Sequence, residues 1–412
     1  MSTVREYALP SGVSGWADAQ FDWVVRAFAR THAGAGSGGA LAVHRRGEPL
    51  VNVWAGESDS SGTAWDADTG AMIFSASKGI TATVIHRLAD RGLIDYDAPV
   101  AEYWGEFGAN GKQRITVRHL LSHRAGLSSL RGLAGQGAEV LDHLLMEERL
   151  AAAAPDRLVD KPIYHALTIG WLLAGLARAV TGQGMATLYR TEIAGPLGVD
   201  GIHLGAPPPG SRTRAADLTG SRSFIGALRR IQPIADRLTA QPGPLTDPLR
   251  ILYTPGIAEM LDGDAPTILG AELPAGNAVC TASALATMYG ALACRGRTAD
   301  GKQFLSPQTV AALNRVQTFK IDRGLLLPLT WRLGYHGLPS VGTLNGFGHI
   351  GAGGSFGWAD PKSGISIALV QNRVDERWIA MDQMAAGWAV PLAMAAARRS
   401  GETGARRGES AA

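Results

Sequence analysis

Apolar and polar positions alternate with two different periods along the chain, one helical and one of strands. Between 18 and 32, Phe21, Val24, Val25 and Phe28 recur at helical spacing and predict an amphipathic helix. Beyond a glycine-rich loop at 34–39, the runs Ala40–His44 and Leu50–Trp54 flank Arg46-Gly47, which predicts a β-hairpin. Phe74 to Lys78 opens a helix that carries Ile80, Val84, Ile85 and Leu88 at helical spacing, with Gly92 just past its end. Helical patterns at 137–153 and 166–180 lie in a largely helical stretch that reaches about residue 200. Residues 205–270 are rich in Pro and Gly, with short helical pieces. A helix is predicted over 281–295, β-structure over 346–355 and 365–371 around a turn at 360–364, and a last helix over 377–397. With β segments at both ends and helices between, the pattern predicts one α/β domain built from both termini and holding a helical insertion. The expected division is 1–70 plus 275–397 for the α/β domain, 71–274 for the insertion with a candidate substrate lid at 205–270, and a flexible tail at 398–412.

Composition narrows the function. Glycine supplies 53 of 412 residues, nearly twice the usual share of roughly 7%. Apolar content of 46% excludes a disordered chain. A net charge of +3 gives no basis for nucleic-acid binding. Two cysteines, Cys280 and Cys294, both in a stretch that reads as helical, make no disulfide framework. Residues 1–7 lack the apolar core of a signal peptide, and no stretch approaches the roughly 18 apolar residues of a membrane span. A cytoplasmic protein with no membrane partner is therefore expected.

Three glycine motifs mislead. Gly34 to Gly39 and Gly346 to Gly351 both match G-x-G-x-x-G. A dinucleotide loop follows a strand and opens a helix. The first match runs from helix to strand and the second has no helix behind it, so neither reads as a nucleotide site. Gly353-Gly354-Ser355-Phe356-Gly357 matches the G-x-S-x-G elbow, yet a turn and a strand follow it and no histidine occurs after His349. His119 and His123, spaced i and i+4, lack a third metal ligand and read as structural.

Ser75-Ala76-Ser77-Lys78 carries the chemistry. Residues i and i+3 share a helical face, so Lys78 can point at the Ser75 hydroxyl. A serine is a poor nucleophile until a base takes its proton. A lysine with its pKa lowered by burial, or a nearby phenolate, can supply that base. Three stretches then share one resemblance: Phe74 to Ile80, Gly92 to Val100, and Ile115 to Leu127. The last contains Leu120-Leu121-Ser122-His123-Arg124-Ala125-Gly126-Leu127. Together they resemble the serine β-lactamase and penicillin-binding superfamily, in the branch of class C β-lactamases, DD-peptidases and family VIII carboxylesterases. The likeness runs from the hairpin at 40–54 to the strand at 365–371. Arg124-Ala125 stands where that family has Thr-Ser.

The resemblance implies an α/β fold with an antiparallel β-sheet flanked by helices and an inserted, mainly helical domain. It implies Tyr164 as general base, in Tyr164-His165-Ala166 where the family has Y-x-N, with a pKa drawn below 10 by the Lys78 ammonium. His349-Ile350-Gly351 matches the third motif, so His349, Gly351 and Gly353 should adjoin the substrate. The N–H groups of Ser75 and Ala352 should form the oxyanion hole. Eight glycines between Gly342 and Gly364 are expected to bare the strand so that an acyl group can lie against it. Phe224, Ile225, Leu228, Ile251, Leu252 and Tyr253 are candidates for an acyl pocket. No cofactor or metal is implied, the partner is a small-molecule ester, and nothing in the sequence argues for an oligomer. Ala166 in place of Asn, His349 in place of Lys and the missing export signal favour a serine carboxylesterase for small to medium acyl esters. A β-lactamase, DD-peptidase, amide hydrolase or acyltransferase would use the same Ser-Lys-Tyr machinery.

Overall fold

The computed structural model describes residues 7–34, 36–262, 266–338, 343–375 and 379–409. Its strands are β1 (Val13–Ala17), β2 (Gly38–Arg45), β3 (Glu48–Gly56), β4 (Thr69–Met72), β5 (Ile202–Leu204), β6 (Arg214–Ala215), β7 (Ala278–Cys280), β8 (Phe347–Ile350), β9 (Phe356–Asp360) and β10 (Ile365–Gln371). The helices that matter here are α1 (Asp22–His32), α2 (Ser77–Asp90), α3 (Thr168–Thr181), α4 (Ser221–Leu238), α5 (Asp247–Leu252), α6 (Ala282–Ala293) and α7 (Ala385–Glu409). The main sheet has the order β1-β3-β2-β10-β9-β8, every pair antiparallel. A smaller sheet, β5-β7-β4-β6, belongs to the other half of the molecule. Its strands β4 and β7 pair with each other across the junctions expected at 70/71 and 274/275.

The period-2 pattern of β2 explains the layers. Leu41 and Val43 pack with Val24, Val25 and Phe28 of α1 and Ala389 and Val390 of α7. Ala40 and Ala42 point the other way, toward α6 and the main core. Arg46 and Gly47 join β2 to β3 with φ of 52° and 82°. Two positive φ values make the turn whose twist suits a two-residue hairpin. Asp18 caps the short turn that leads into α1, accepting from Gln20 N–H at 2.9 Å.

Several expected elements differ. The helix over 137–153 is broken at Asp142, where the backbone is extended (ψ 96°) and the carboxylate instead caps Leu145 N–H at 3.1 Å. The β-structure over 346–355 stops at Ile350, because Gly353 and Gly354 turn the chain with φ of 78° and 91°. Cys280 lies in β7, with only Cys294 at a helix end; a short run of small apolar residues carries no periodicity to tell strand from helix. Of the last expected helix, 377 and 378 lie outside the described residues, and α7 then runs to Glu409. The segment expected as a flexible tail thus continues a helix, since each added residue needs only one further bond once the helix is anchored by packing. Residues 410–412 lie outside the described ones.

Candidate active site

β4 leads through Ile73 into a tight turn, Phe74–Ala76, and then into α2. Phe74 is held at φ 46°, a left-handed conformation that costs a bulky residue of order 1–3 kcal/mol. Ser77 braces the turn. Its hydroxyl donates to Phe74 O at 2.5 Å and accepts from Ala278 N–H of β7 at 3.0 Å. The turn presents Ser75 at the head of α2 with Lys78 on the same face. Lys78 Nζ lies 2.9 Å from Ser75 Oγ and 2.9 Å from Ala275 O. From the far side, Tyr164 OH reaches Ser75 Oγ at 2.8 Å. Two proton-carrying groups thus converge on one hydroxyl.

Burial sets their protonation. Lys78 is enclosed, and desolvation holds its pKa well below 10.5, favouring the neutral amine. Tyr164 is enclosed as well, and burial pushes its pKa above 10, only partly offset by its hydrogen bond to Ser75. The expected lowering of Tyr164 by an adjacent ammonium therefore does not occur. A dry site disfavours both charges at once, lowering the Lys78 pKa and raising that of Tyr164.

The surroundings of Tyr164 were not visible in any motif. Trp331 stacks on its ring at 5.8 Å between centroids and 8° between planes. The indole Nε1–H of Trp331 donates to Asp322 Oδ2 at 2.9 Å, and Asp322 Oδ1 accepts the N–H groups of Gly324 and Leu325 at 2.9 and 2.8 Å. His123, with φ 57°, sets its ring 5.2 Å from Tyr164 and 4.3 Å from Trp331. Its Nδ1 accepts from His165 N–H at 3.1 Å, and Ile163 N–H bonds to His123 O at 3.1 Å. The segment 120–127 thereby clamps Tyr164 in place. His119 instead faces Thr116, closing a reciprocal cap, so the two histidines do not share a ligand position. Only the chain fold joins 123, 164, 322 and 331, so no local spacing could have grouped them.

At the end of β8 the structure separates the third-motif residues. His349 is buried, its Nδ1 directed at Ile350 O (3.0 Å) and its Nε2 without a partner. Its ring lies 6.3 Å from that of Tyr164. Burial, His336 and Lys78 together push its pKa well below 6.5, so it is a neutral imidazole. Gly351 sits against the nucleophile turn: a Cβ there would lie 2.1 Å from Ile73 O and 3.3 Å from Ala76 N. That close approach brings Ala352, an exposed residue, next to the Ser75 turn. Gly353 is a turn residue whose Cβ would meet Arg373 O at 2.9 Å.

The glycine cluster is used differently from the expectation. A Cβ at Gly346 or Gly348 would strike Trp358, one at Gly357 would strike Tyr289, and one at Gly354 would strike Asp382 O. These glycines let protein pack on protein, and Gly342 lies outside the described residues. Ser355 of the false elbow is buried, its Oγ accepting Gln371 N–H at 3.1 Å. Of the candidate acyl-pocket residues, Ile251 packs in the cluster of Leu158, Ile163, Tyr164 and Trp331. Ile225 joins the main core, Leu252 faces solvent, and Tyr253 bonds to Asp236 beneath the Arg131 guanidinium.

The chain matches the beta-lactamase family model over residues 24–385. It is 52% identical over 372 residues to the esterase/beta-lactamase LipL of Mycobacterium tuberculosis, covering 88% of this chain and 83% of that protein. The crystal structure of a family VIII carboxylesterase superposes with a TM-score of 0.76 at 28% identity, over 94% of this chain and 99% of the other. A penicillin-binding protein homologue from Caulobacter crescentus gives 0.72 at 29% identity, over 92% and 99%. The chain belongs to the beta-lactamase family, and it is a serine hydrolase of that superfamily.

Proposed function

We propose that this enzyme is a carboxylesterase acting on small to medium acyl esters, with Ser75 as nucleophile. One observation carries the reading: Ser75 Oγ lies within 2.9 Å of a buried, neutral-favouring Lys78 amine and 2.8 Å from the Tyr164 hydroxyl. Lys78 takes the Ser75 proton as Oγ attacks the ester carbonyl. The N–H groups of Ser75 and Ala352 hold the oxyanion. On collapse, the alkoxide leaves with the Tyr164 proton, which Lys78 restores. Water then attacks the acyl-enzyme carbonyl and gives a proton to the same pair. As the Ser75 Oγ–acyl bond breaks, the pair passes that proton to Ser75 Oγ, which frees the carboxylic acid and restores the serine hydroxyl.

Esters are favoured over β-lactams by what surrounds this machinery. Ala166 borders an apolar cluster where relatives place an amide. The third-motif residue is a neutral imidazole, which offers no permanent cation to a β-lactam carboxylate. The similarity to LipL, an esterase/beta-lactamase, supports a second activity on β-lactams. Turnover of p-nitrophenyl acetate, butyrate and octanoate, measured beside nitrocefin, tests both readings. The short esters should be hydrolysed fastest and nitrocefin slowly. Ser75→Ala should lower ester turnover by about 1,000-fold or more with its melting temperature kept. Nitrocefin turnover faster than any ester would reverse the assignment.

A further inference from the structure

Among the described residues no helix is long and apolar enough to cross a membrane. Neither that nor the lack of a long apolar stretch in the sequence addresses a helix lying on a surface. Helix α4 buries Ile225 and leaves Ile231, Ile234 and Leu238 about half exposed. Their i, i+3, i+7 spacing makes one apolar stripe. Two neighbouring segments expose apolar residues as well. Helix α5 turns Ile251 inward and exposes Leu249 and Leu252. Gly324 touches Ile251, and the loop that carries it exposes Phe319. Arg131 bonds Asp236 and Thr239 at the end of α4, and Thr239 O accepts from Arg250 of α5, so the three segments adjoin. Single exposed leucines are ordinary; a joined set is not.

Charge gathers on the same segments. Residues 221–252 hold five arginines against two aspartates, and 315–327 hold three cations against Asp322. Asp236 and Asp247 are occupied by Arg131 and Arg157, and Asp322 is buried. Arg229 is matched by Asp262, whereas Arg237, Lys320 and Arg323 are exposed. These two segments therefore carry more positive charge than the whole chain's +3.

We propose that the face formed by α4, α5 and the 319–327 loop docks on an anionic lipid bilayer. An apolar stripe flanked by cations is what an interfacial helix requires, and acidic headgroups attract it. A second copy of the chain would bring the same cations face to face, which opposes self-association there. Ile251 packs in the same buried cluster as Tyr164, so the docked face backs onto the packing that holds that residue.

Co-sedimentation of the full chain with vesicles of equal parts phosphatidylglycerol and phosphatidylcholine, against pure phosphatidylcholine, tests it. Partition onto the anionic vesicles should be about tenfold higher or more, and should fall in high salt. The variant Ile231→Glu/Ile234→Glu should lose about tenfold of that binding while hydrolysing p-nitrophenyl acetate at the wild-type rate. Equal partition onto both vesicles, or unchanged binding by the variant, overturns the proposal. So does a wild type that ignores both vesicles but forms oligomers that the variant lacks.

Discussion

A serine hydroxyl flanked by an amine and a phenol is active only when one of them can accept a proton. Lys78 meets that need by being dry. Its folded pKa lies below its ordinary 10.5, so the amine becomes available at lower pH than an exposed lysine would allow. The sign follows: kcat/KM should rise with pH through that lowered value and reach its plateau well before 10.5. A pH profile that climbs only near 10.5 would show the base is not this amine. Tyr164→Phe keeps the ring stacked on Trp331 and removes only the proton donor, so kcat should fall by about 100-fold or more. Trp331→Phe makes the complementary cut. It keeps the stack but strips the buried Asp322 of its indole donor, at a cost of about 1–3 kcal/mol in urea unfolding. Ser75 and Lys78 were legible in sequence because their partnership is local, three residues apart on one helix. Trp331, Asp322 and His123 were not, because each meets Tyr164 only through tertiary contact.

At the level of elements, strands with clear alternation were read almost to the residue. β10 spans the expected 365–371, and β2 and β3 contain the expected hairpin runs. Reading failed where glycine both breaks a strand and permits close packing, as between Ile350 and Phe356. A motif such as G-x-G-x-x-G records that glycine is present, but not which neighbour the missing Cβ makes room for. Gly351 and Ser355, four residues apart, separate the two uses. Gly351→Ala forces a methyl group to within 2.1 Å of Ile73 O and must push β8 off the nucleophile turn. The expected result is a loss of about 1–3 kcal/mol in stability together with most of the esterase turnover. Ser355→Ala removes only a bridge to Gln371 and should leave turnover near normal. Complete inactivation of a folded Ser355→Ala protein would restore the elbow reading.

Across the whole molecule, neutral histidines are a common device. Burial pushes His44, His86, His165 and His336 down to about 4, and His123 and His349 well below 6.5. In the unfolded chain each titrates near 6.5, so below that pH the unfolded state takes up protons that the folded state refuses. Stability is therefore full above about pH 6.5 and lost progressively toward pH 4, at about 1.4 kcal/mol per unit for each fully separated group. His143 opposes the trend, since burial lowers its pKa but Glu147 and Glu272 together outweigh that and raise it, yet it is outnumbered. Urea midpoints should drop clearly between pH 7 and pH 5, and equal midpoints would contradict the burial assigned to these rings.

The strand order has a consequence for how the enzyme comes into being. β2 and β3 emerge early during translation, yet β2 has no second neighbour until β10 is made, more than 300 residues later. Ser75 likewise leaves the ribosome long before Tyr164, Trp331 and the strand that packs against its turn. Pairings so distant in sequence slow folding and leave early strands waiting with open edges. The nascent chain thus carries its nucleophile inert through most of its synthesis, and hydrolytic activity should appear only once β10 closes the sheet.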